Sequence, residues 1–339
     1  MTINVALVGA GYWGKKLLPK FRAAKDCAVA TVCDLDAALR ADIEKTFPGT
    51  TTTASYDEVL KDPKVDAVIL VTPPATHYAL GKKALEAGKH IWIEKPLALR
   101  YGEGKALVAL SHAKRAVLFV DHTFLYDRAI RMAHELAAGG EMGDVHHVFL
   151  QRLNLGRIKR DSNVWWNSAP HDVSILLYVL KGRPTSVTLQ GYRYLQPEVE
   201  DLNMATVEMS DGASAFIYHN WLFPENTAKL TVVGSKKMLV YEGKFDKRAA
   251  TLYEYATGAA AGGAGVDANT IPSKIVSERN LEGITAEEPL ASAVADFLGS
   301  IRERRSPVSD GEFSLKVLAV LEAGEQSLRA GGKKIAIEL

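Results

Sequence analysis

The chain opens on an apolar run, Ile3 to Val8, and similar short runs recur at Val29–Cys33, Ala67–Val71, His90–Ile93 and Ala116–Val120. Strands that are apolar on both faces are buried on both faces, which predicts a mostly parallel sheet. Helical stretches lie between them: Gly14 to Lys25, a short helix from near Asp36, Tyr56–Leu60, His77–Ala87 after the Pro73-Pro74 stop, and Tyr101–His112. That alternation of strand and helix predicts helices on each side of the sheet.

Beyond Val120 the pattern changes. Asp127 to Ala138 reads as a helix linking two domains, ended by Gly139-Gly140. Longer segments with clearer alternation follow at Val145–Leu153, Ser186–Tyr194, Met204–Met209, Ala213–Trp221 and Lys229–Val233, interrupted by a helix at Ala169–Val179. They predict a large, open, mostly antiparallel sheet with one face on helices and the other available to a second subunit, in a homodimer or homotetramer. Ala256 to Gly265, rich in alanine and glycine, reads as an unanchored surface excursion. Two amphipathic helices, Leu290–Arg304 and Phe313–Arg329, and an edge strand within Lys334–Leu339 complete the chain. The expected division is 1–120 as one domain and 121–339 as a second, which forms the oligomer contact and whose final segment can pack back on the first.

With 339 residues, 47% hydrophobic and 24% charged, the chain has material for two cores. A formal net charge of +1 gives no global footprint for nucleic acid. The local basic clusters at 157–160 and 301–305 suit either an anionic substrate or a solvated surface. Cys27 and Cys33 flank or sit in one strand, which indicates small buried thiols rather than a disulfide scaffold. No apolar run approaches membrane-spanning length, and the first strand begins almost at once, so a cytoplasmic protein is expected.

Gly9-Ala10-Gly11-Tyr12-Trp13-Gly14 falls at the first strand-to-helix junction, and Asp34 follows Gly14 by twenty residues at the end of the second strand. Gly9 suits the sharp turn, Gly11 lets backbone approach a pyrophosphate, and Gly14 lets the helix pack close. The N–H groups of the first helical turn face the negative charge. Asp34 is placed to accept from the ribose hydroxyls and to repel a 2′-phosphate, which points to NAD.

Lys95 follows a strand of this domain, on the side where doubly wound sheets bind ligands, and Pro96 restricts its backbone. A lysine there suits binding a substrate hydroxyl and steadying the alkoxide that develops as hydride departs, with Glu94 as its partner; a surface lysine at a loop entry is the competing reading. Trp165-Trp166-Asn167-Ser168-Ala169-Pro170-His171-Asp172 is the second candidate. Pro170 near a helix start puts His171 in the first turn, where a neutral base is favoured, and Asn167 can orient a hydroxyl. His171 as a packed helix cap, and the two tryptophans as substrate wall or as core, are alternatives that the residues leave open. His146 and His147 are adjacent on a strand and point to opposite faces, and His112, His122 and His134 show no compact ligand spacing, so no metal is expected. No nucleophile-elbow pattern is present.

Taken together, the glycine turn, Asp34, Glu94-Lys95-Pro96 and the His171 helix resemble the Gfo/Idh/MocA oxidoreductase family over essentially the full length. The resemblance implies an N-terminal Rossmann domain, a C-terminal α/β domain with a large open sheet, NAD, and Lys95 and His171 as active-site residues. It also places Thr72, Pro73 and Pro74 near the nicotinamide, with His77 following into the cofactor pocket. Within the family the chain is most similar to nucleotide-sugar 3-dehydrogenases acting on UDP-N-acetylglucosamine or its uronic acid, through 121–126, 152–156, 169–172, 234–238 and 309–313. Tyr126, Arg152, Asn154, Arg157 and Lys159 are then candidate substrate contacts. Those relatives commonly have Trp-Asp-Leu-Ala-Pro-His-Asp, where this chain has Asn167 in place of the first aspartate; an amide cannot act as a charged base, so the proton role moves to His171. A dehydrogenase of another sugar or polyol such as myo-inositol, and a non-catalytic NAD-binding protein, are the competing functions.

Overall fold

The computed structural model describes residues 2–156, 158–243, 248–261, 269–285 and 288–339. The chain divides into two compact units, residues 1–126 with 288–322, and 127–287 with 323–339. The first unit therefore runs past the expected break at residue 120 and takes in a C-terminal segment.

In the first unit the order is β1 (Ile3–Val8), α1 (Gly14–Ala23), β2 (Cys27–Cys33), α2 (Ala37–Thr46), β3 (Thr52–Thr53), α3 (Tyr56–Lys61), β4 (Ala67–Leu70), α4 (His77–Glu86), β5 (His90–Ile93), α5 (Tyr101–Lys114) and β6 (Leu118–Val120). The strands align as β3-β2-β1-β4-β5-β6, all parallel. Their apolar runs explain the arrangement, since every residue of β4 and β6 is buried. Strand order reverses between β1 and β4, and an open α/β sheet binds ligands at the carboxyl ends beside such a switch point.

In the second unit, α6 (Arg128–Ala138) and β7 (Val145–Leu153) precede α7 (Val164–Val179). β8 (Pro184–Tyr192), β9 (Leu202–Met209), β10 (Ser214–Asn220), β11 (Thr227–Gly234), β12 (Lys237–Gly243), β13 (Arg248–Thr257) and β14 (Ser273–Asn280) follow. After α8 (Pro289–Glu303) and α9 (Gly311–Arg329), β15 (Ile335–Ala336) pairs with β8 at one edge. The nine-stranded order is β14-β13-β12-β11-β7-β10-β9-β8-β15, antiparallel except for β7 with β10. Alternation puts Val148, Leu150, Val207, Ala215, Ile217, Leu230 and Val232 inward, while Met204 and Phe216 are exposed.

Two differences from the sequence reading have physical causes. The helix expected from Ala169 starts at Val164, because the Asn163 side chain caps it by accepting from Trp166 N at 3.1 Å; Pro170 lies inside the helix. The stretch expected to wander from Ala256 begins inside β13, where Ala256 and Thr257 pair with Lys274 and Ser273. Residues 258–261 form a short 3-10 turn, and 262–265 lie outside the described residues. Among the described residues no helix is long and apolar enough to cross a membrane.

An aromatic cluster ties 288–322 into the first unit. Trp92 stacks on Phe119 with centroids 4.1 Å apart, and fully buried Phe297 of α8 stands edge-on to both at 5.7 Å. Phe297→Ala is expected to cost about 3–5 kcal/mol through lost burial and a residual cavity. Denaturant unfolding followed by intrinsic fluorescence checks this, and an unshifted midpoint contradicts it.

Candidate active site

The first turn after β1 is shaped by backbone crowding. Gly9 has φ +103°, and a Cβ on it would lie 2.6 Å from the Val71 carbonyl oxygen. A Cβ on Gly14 would overlap the Gly9 carbonyl oxygen, whereas a Cβ on Gly11 would meet nothing within 4 Å. Gly9 and Gly14 thus answer to the protein's own packing, and Gly11 borders the open side where a pyrophosphate can approach. Beside it, Asp34 accepts from Ala10 N at 2.7 Å through Oδ2 and from Asp36 N at 2.9 Å through Oδ1. Each oxygen keeps acceptor capacity for a ribose hydroxyl. Tyr12 and Trp13 stack nearly coplanar at 6.0 Å, with the Lys16 ammonium 4.6 Å from the Tyr12 ring. The residues therefore fit a dinucleotide: a glycine turn with an uncrowded approach at Gly11 and a carboxylate at the second strand end.

At the end of β4, Thr72 is half-buried and Pro73 and Pro74 are exposed. His77 corrects the expectation of a cofactor contact. Its ring is fully buried, with Nδ1 2.8 Å from the Pro96 carbonyl and Nε2 2.9 Å from the Thr72 carbonyl. Burial lowers its pKa against those two hydrogen bonds. The ring bridges the segments after β4 and β5 rather than facing a ligand. Lys95 is half-buried at the end of β5 and precedes a cis bond to Pro96. Glu94 is buried, hydrogen-bonds Trp13 and lies beside Asp121; it packs behind the strand end.

In the second unit, Asn167 and His171 are one turn apart on the continuous helix α7 and both half-buried. His171 is the eighth residue of that helix, so the first-turn argument for its neutrality does not apply. The next residue, Asp172, is buried and takes Arg152 Nη2 at 2.8 Å, Arg152 Nε at 3.2 Å and His219 Nε2 at 2.8 Å. Burial pushes its carboxyl up, but the Arg152 charge and the hydrogen bonds outweigh that and hold it at about 2. His219 was not singled out by sequence reasoning, and Asp172 was named within the candidate stretch without a role; the polar His219 among the inward positions of β10 was the available signal.

Residues 3–122 match the family model described as "Oxidoreductase family, NAD-binding Rossmann fold", and residues 130–240 match the GFO/IDH/MocA C-terminal domain. The chain belongs to the Gfo/Idh/MocA oxidoreductase family. It is similar to the Escherichia coli oxidoreductase YdgJ, at 28% identity over 255 residues and 71% of each chain. It is also similar to UDP-N-acetylglucosamine 3-dehydrogenase of Acidithiobacillus ferrooxidans, at 24% identity over 325 residues and 94% of each chain. The WlbA dehydrogenase of Bordetella pertussis, solved with NADH and UDP-GlcNAcA, shares the fold with TM-score 0.80 and 21% identity over 100% of both chains.

This Gfo/Idh/MocA protein is an NAD-binding oxidoreductase, and its geometry revises several expected substrate contacts. Tyr126 is fully buried in the first unit, donates to Asp296 at 2.7 Å, and has its pKa driven up by burial, so its hydroxyl is engaged within the fold. Arg152 spends its guanidinium on Asp172 and braces α7. Trp165 is fully buried and approaches Gly324 so closely that a Cβ there would lie 2.5 Å from the indole, which makes it core. Trp166 donates to Glu325 at 3.1 Å. Asn154 and Lys159 are half-buried, and Arg157 lies outside the described residues.

Two outcomes follow. Asp34→Arg is expected to weaken NAD binding by roughly 10- to 100-fold, the worth of hydrogen bonds to a charged group, and to improve relative NADP binding; a fluorescence titration with unchanged preference contradicts the assignment. Because the folded pKa of Asp172 lies below its unfolded value, its stabilisation is present above pH ~4 and is lost as pH falls toward 2. Asp172→Ala is expected to cost about 3–5 kcal/mol at pH 7, as for a broken buried pair, and to flatten the stability–pH curve over that window.

Proposed function

We propose that this enzyme oxidises a ring carbon bearing a hydroxyl in a sugar, C3 of a UDP-N-acetylhexosamine or its uronic acid. The observation that carries the reading is the half-buried Lys95 at the carboxyl end of β5, on the ligand-binding side of the sheet that carries the glycine turn. The named activity of the Acidithiobacillus relative and the bound sugar nucleotide of the Bordetella structure support the substrate class.

Bound at Gly9, Gly11, Tyr12, Trp13, Gly14, Asp34, Thr72, Pro73 and Pro74, NAD supplies the hydride acceptor. Lys95 orients the hydroxyl oxygen and steadies the negative charge that grows on it. His171 removes the hydroxyl proton, and Asn167 orients a neighbouring hydroxyl. The reverse reaction uses the same groups with proton donation inverted. Asn154 and Lys159, with Arg157, contact the rest of the substrate. One observation favours a second reading, an uncharged sugar or polyol: Arg152, a cation otherwise suited to a diphosphate, is committed to Asp172. The open sheet face bearing Met204 and Phe216 joins copies into a homodimer or homotetramer; a monomeric mass by light scattering contradicts this.

The test is the appearance of reduced nicotinamide with NAD+ and UDP-N-acetylglucosamine, its uronic acid, myo-inositol or glucose, after bound cofactor has been quantified. Turnover with a UDP-sugar is expected, and turnover confined to myo-inositol or glucose selects the second reading. Lys95→Ala and His171→Ala are each expected to lower kcat by roughly 10²- to 10⁴-fold while leaving NAD affinity near the parent value. A His171→Ala pH–rate profile identical to the parent removes His171 as the base.

A further inference from the structure

Four buried polar atoms without a hydrogen-bond partner gather at the ends of β5 and β6: Glu94 Oε1, Asp121 Oδ2 and both ring nitrogens of His122. The backbone brings them together. Glu94 N donates to the Leu70 carbonyl and Asp121 N to the Ile93 carbonyl, each at 2.9 Å, so adjacent parallel strands end side by side. Their buried carboxyl groups act on each other at these strand ends. Two ionised carboxylates only accept, so the pair can form a hydrogen bond only if it holds a proton.

The surroundings indicate how many negative charges the pair carries. The Trp13 indole donates to Glu94, and Thr123 Oγ1 donates to Asp121 Oδ1 at 2.5 Å. Lys95 adjoins as the cation whose charge acts on both carboxyls. His122 supplies no second cation, because burial and the Lys95 charge hold its imidazole at about 3; its ring packs edge-on to Phe313. His77, also acted on by Lys95, is likewise shifted toward neutrality, and buried Tyr126 keeps its proton. Burial and the neighbouring Asp121 raise Glu94 well above the carboxylate range, and burial raises Asp121.

We propose that Glu94 and Asp121 share one proton at neutral pH and act as a single monoanion that positions Lys95, with Asp121 a positioning residue outside the reacting atoms. One negative charge against one ammonium leaves the strand ends neutral overall. A second ionisation would add negative charge beside the oxygen on which Lys95 steadies a developing alkoxide. This role rests on the reading of Lys95 given above; the shared proton itself does not.

Infrared difference spectroscopy of the full-length protein at pH 7 tests the proton. The parent is expected to show the carbonyl stretch of a protonated carboxylic acid, shifted in D2O. Asp121→Asn and Glu94→Gln are each expected to lose it, since the remaining carboxyl ionises beside Lys95. Lys95→Ala keeps the band, so this readout stands even where Lys95 proves dispensable for turnover. In kinetics, each single amide variant retains one negative charge, and Glu94→Gln/Asp121→Asn removes the last. The double variant is expected to lose kcat about tenfold or more beyond the product of the single effects, the non-additivity of groups that act as one. Thermal melts establish that the variants fold. No band in the parent, or a band that persists in both single variants, overturns the shared proton; multiplicative losses in the double variant overturn the role toward Lys95.

Discussion

The close approach between the start of α1 and the end of β1 is the constraint on which the cofactor side depends. Gly14 cannot carry a side chain because the Gly9 carbonyl occupies its Cβ position, and Gly9 adopts a left-handed φ against Val71. Only with both glycines in place does the helix start at the strand end, its N–H groups directed at the switch point between β1 and β4. Asp34 then hydrogen-bonds the turn itself, so the carboxylate at the end of β2 also holds the loop between β1 and α1.

Much of that unit was legible because its strands are apolar on both faces and short, leaving few alternatives for β1, β4, β5 and β6. The second unit was legible in part where one face is buried: the alternation of Val145–Leu153 marked β7, whereas β12 and β13, with few fully buried positions, were not read as strands. β14 escaped notice because every residue of it is exposed, so no apolar period marks it and its ladder to β13 defines it. β3 is two residues long, below any periodic signal. The early start of α7 was masked by Pro170, whose usual place is a helix's first turn.

For the candidate site, the motifs singled out Lys95, His171 and the glycine turn, because their signal is local. What escaped was long-range pairing. An arginine on β7 reads as available for an anion until Asp172 is brought beside it, and a tyrosine after β6 reads as a ligand contact until Asp296 accepts its hydroxyl. His77 shows the same limit: its order in the chain resembled a pocket residue, but two carbonyls claim both ring nitrogens. In each case a polar group buried in the fold is satisfied by a partner distant in sequence, as burial requires.

The proposed function stands on direct hydride transfer from a sugar ring carbon to NAD. Incubating the enzyme with NAD+ and UDP-N-acetylglucosamine deuterated at C3, then weighing the reduced cofactor by mass spectrometry, tests that transfer. Nicotinamide that carries the deuterium is expected, with slower turnover than the unlabelled sugar. Reduced cofactor formed without label contradicts oxidation at C3, and no reduced cofactor from any sugar or polyol offered contradicts the account as a whole.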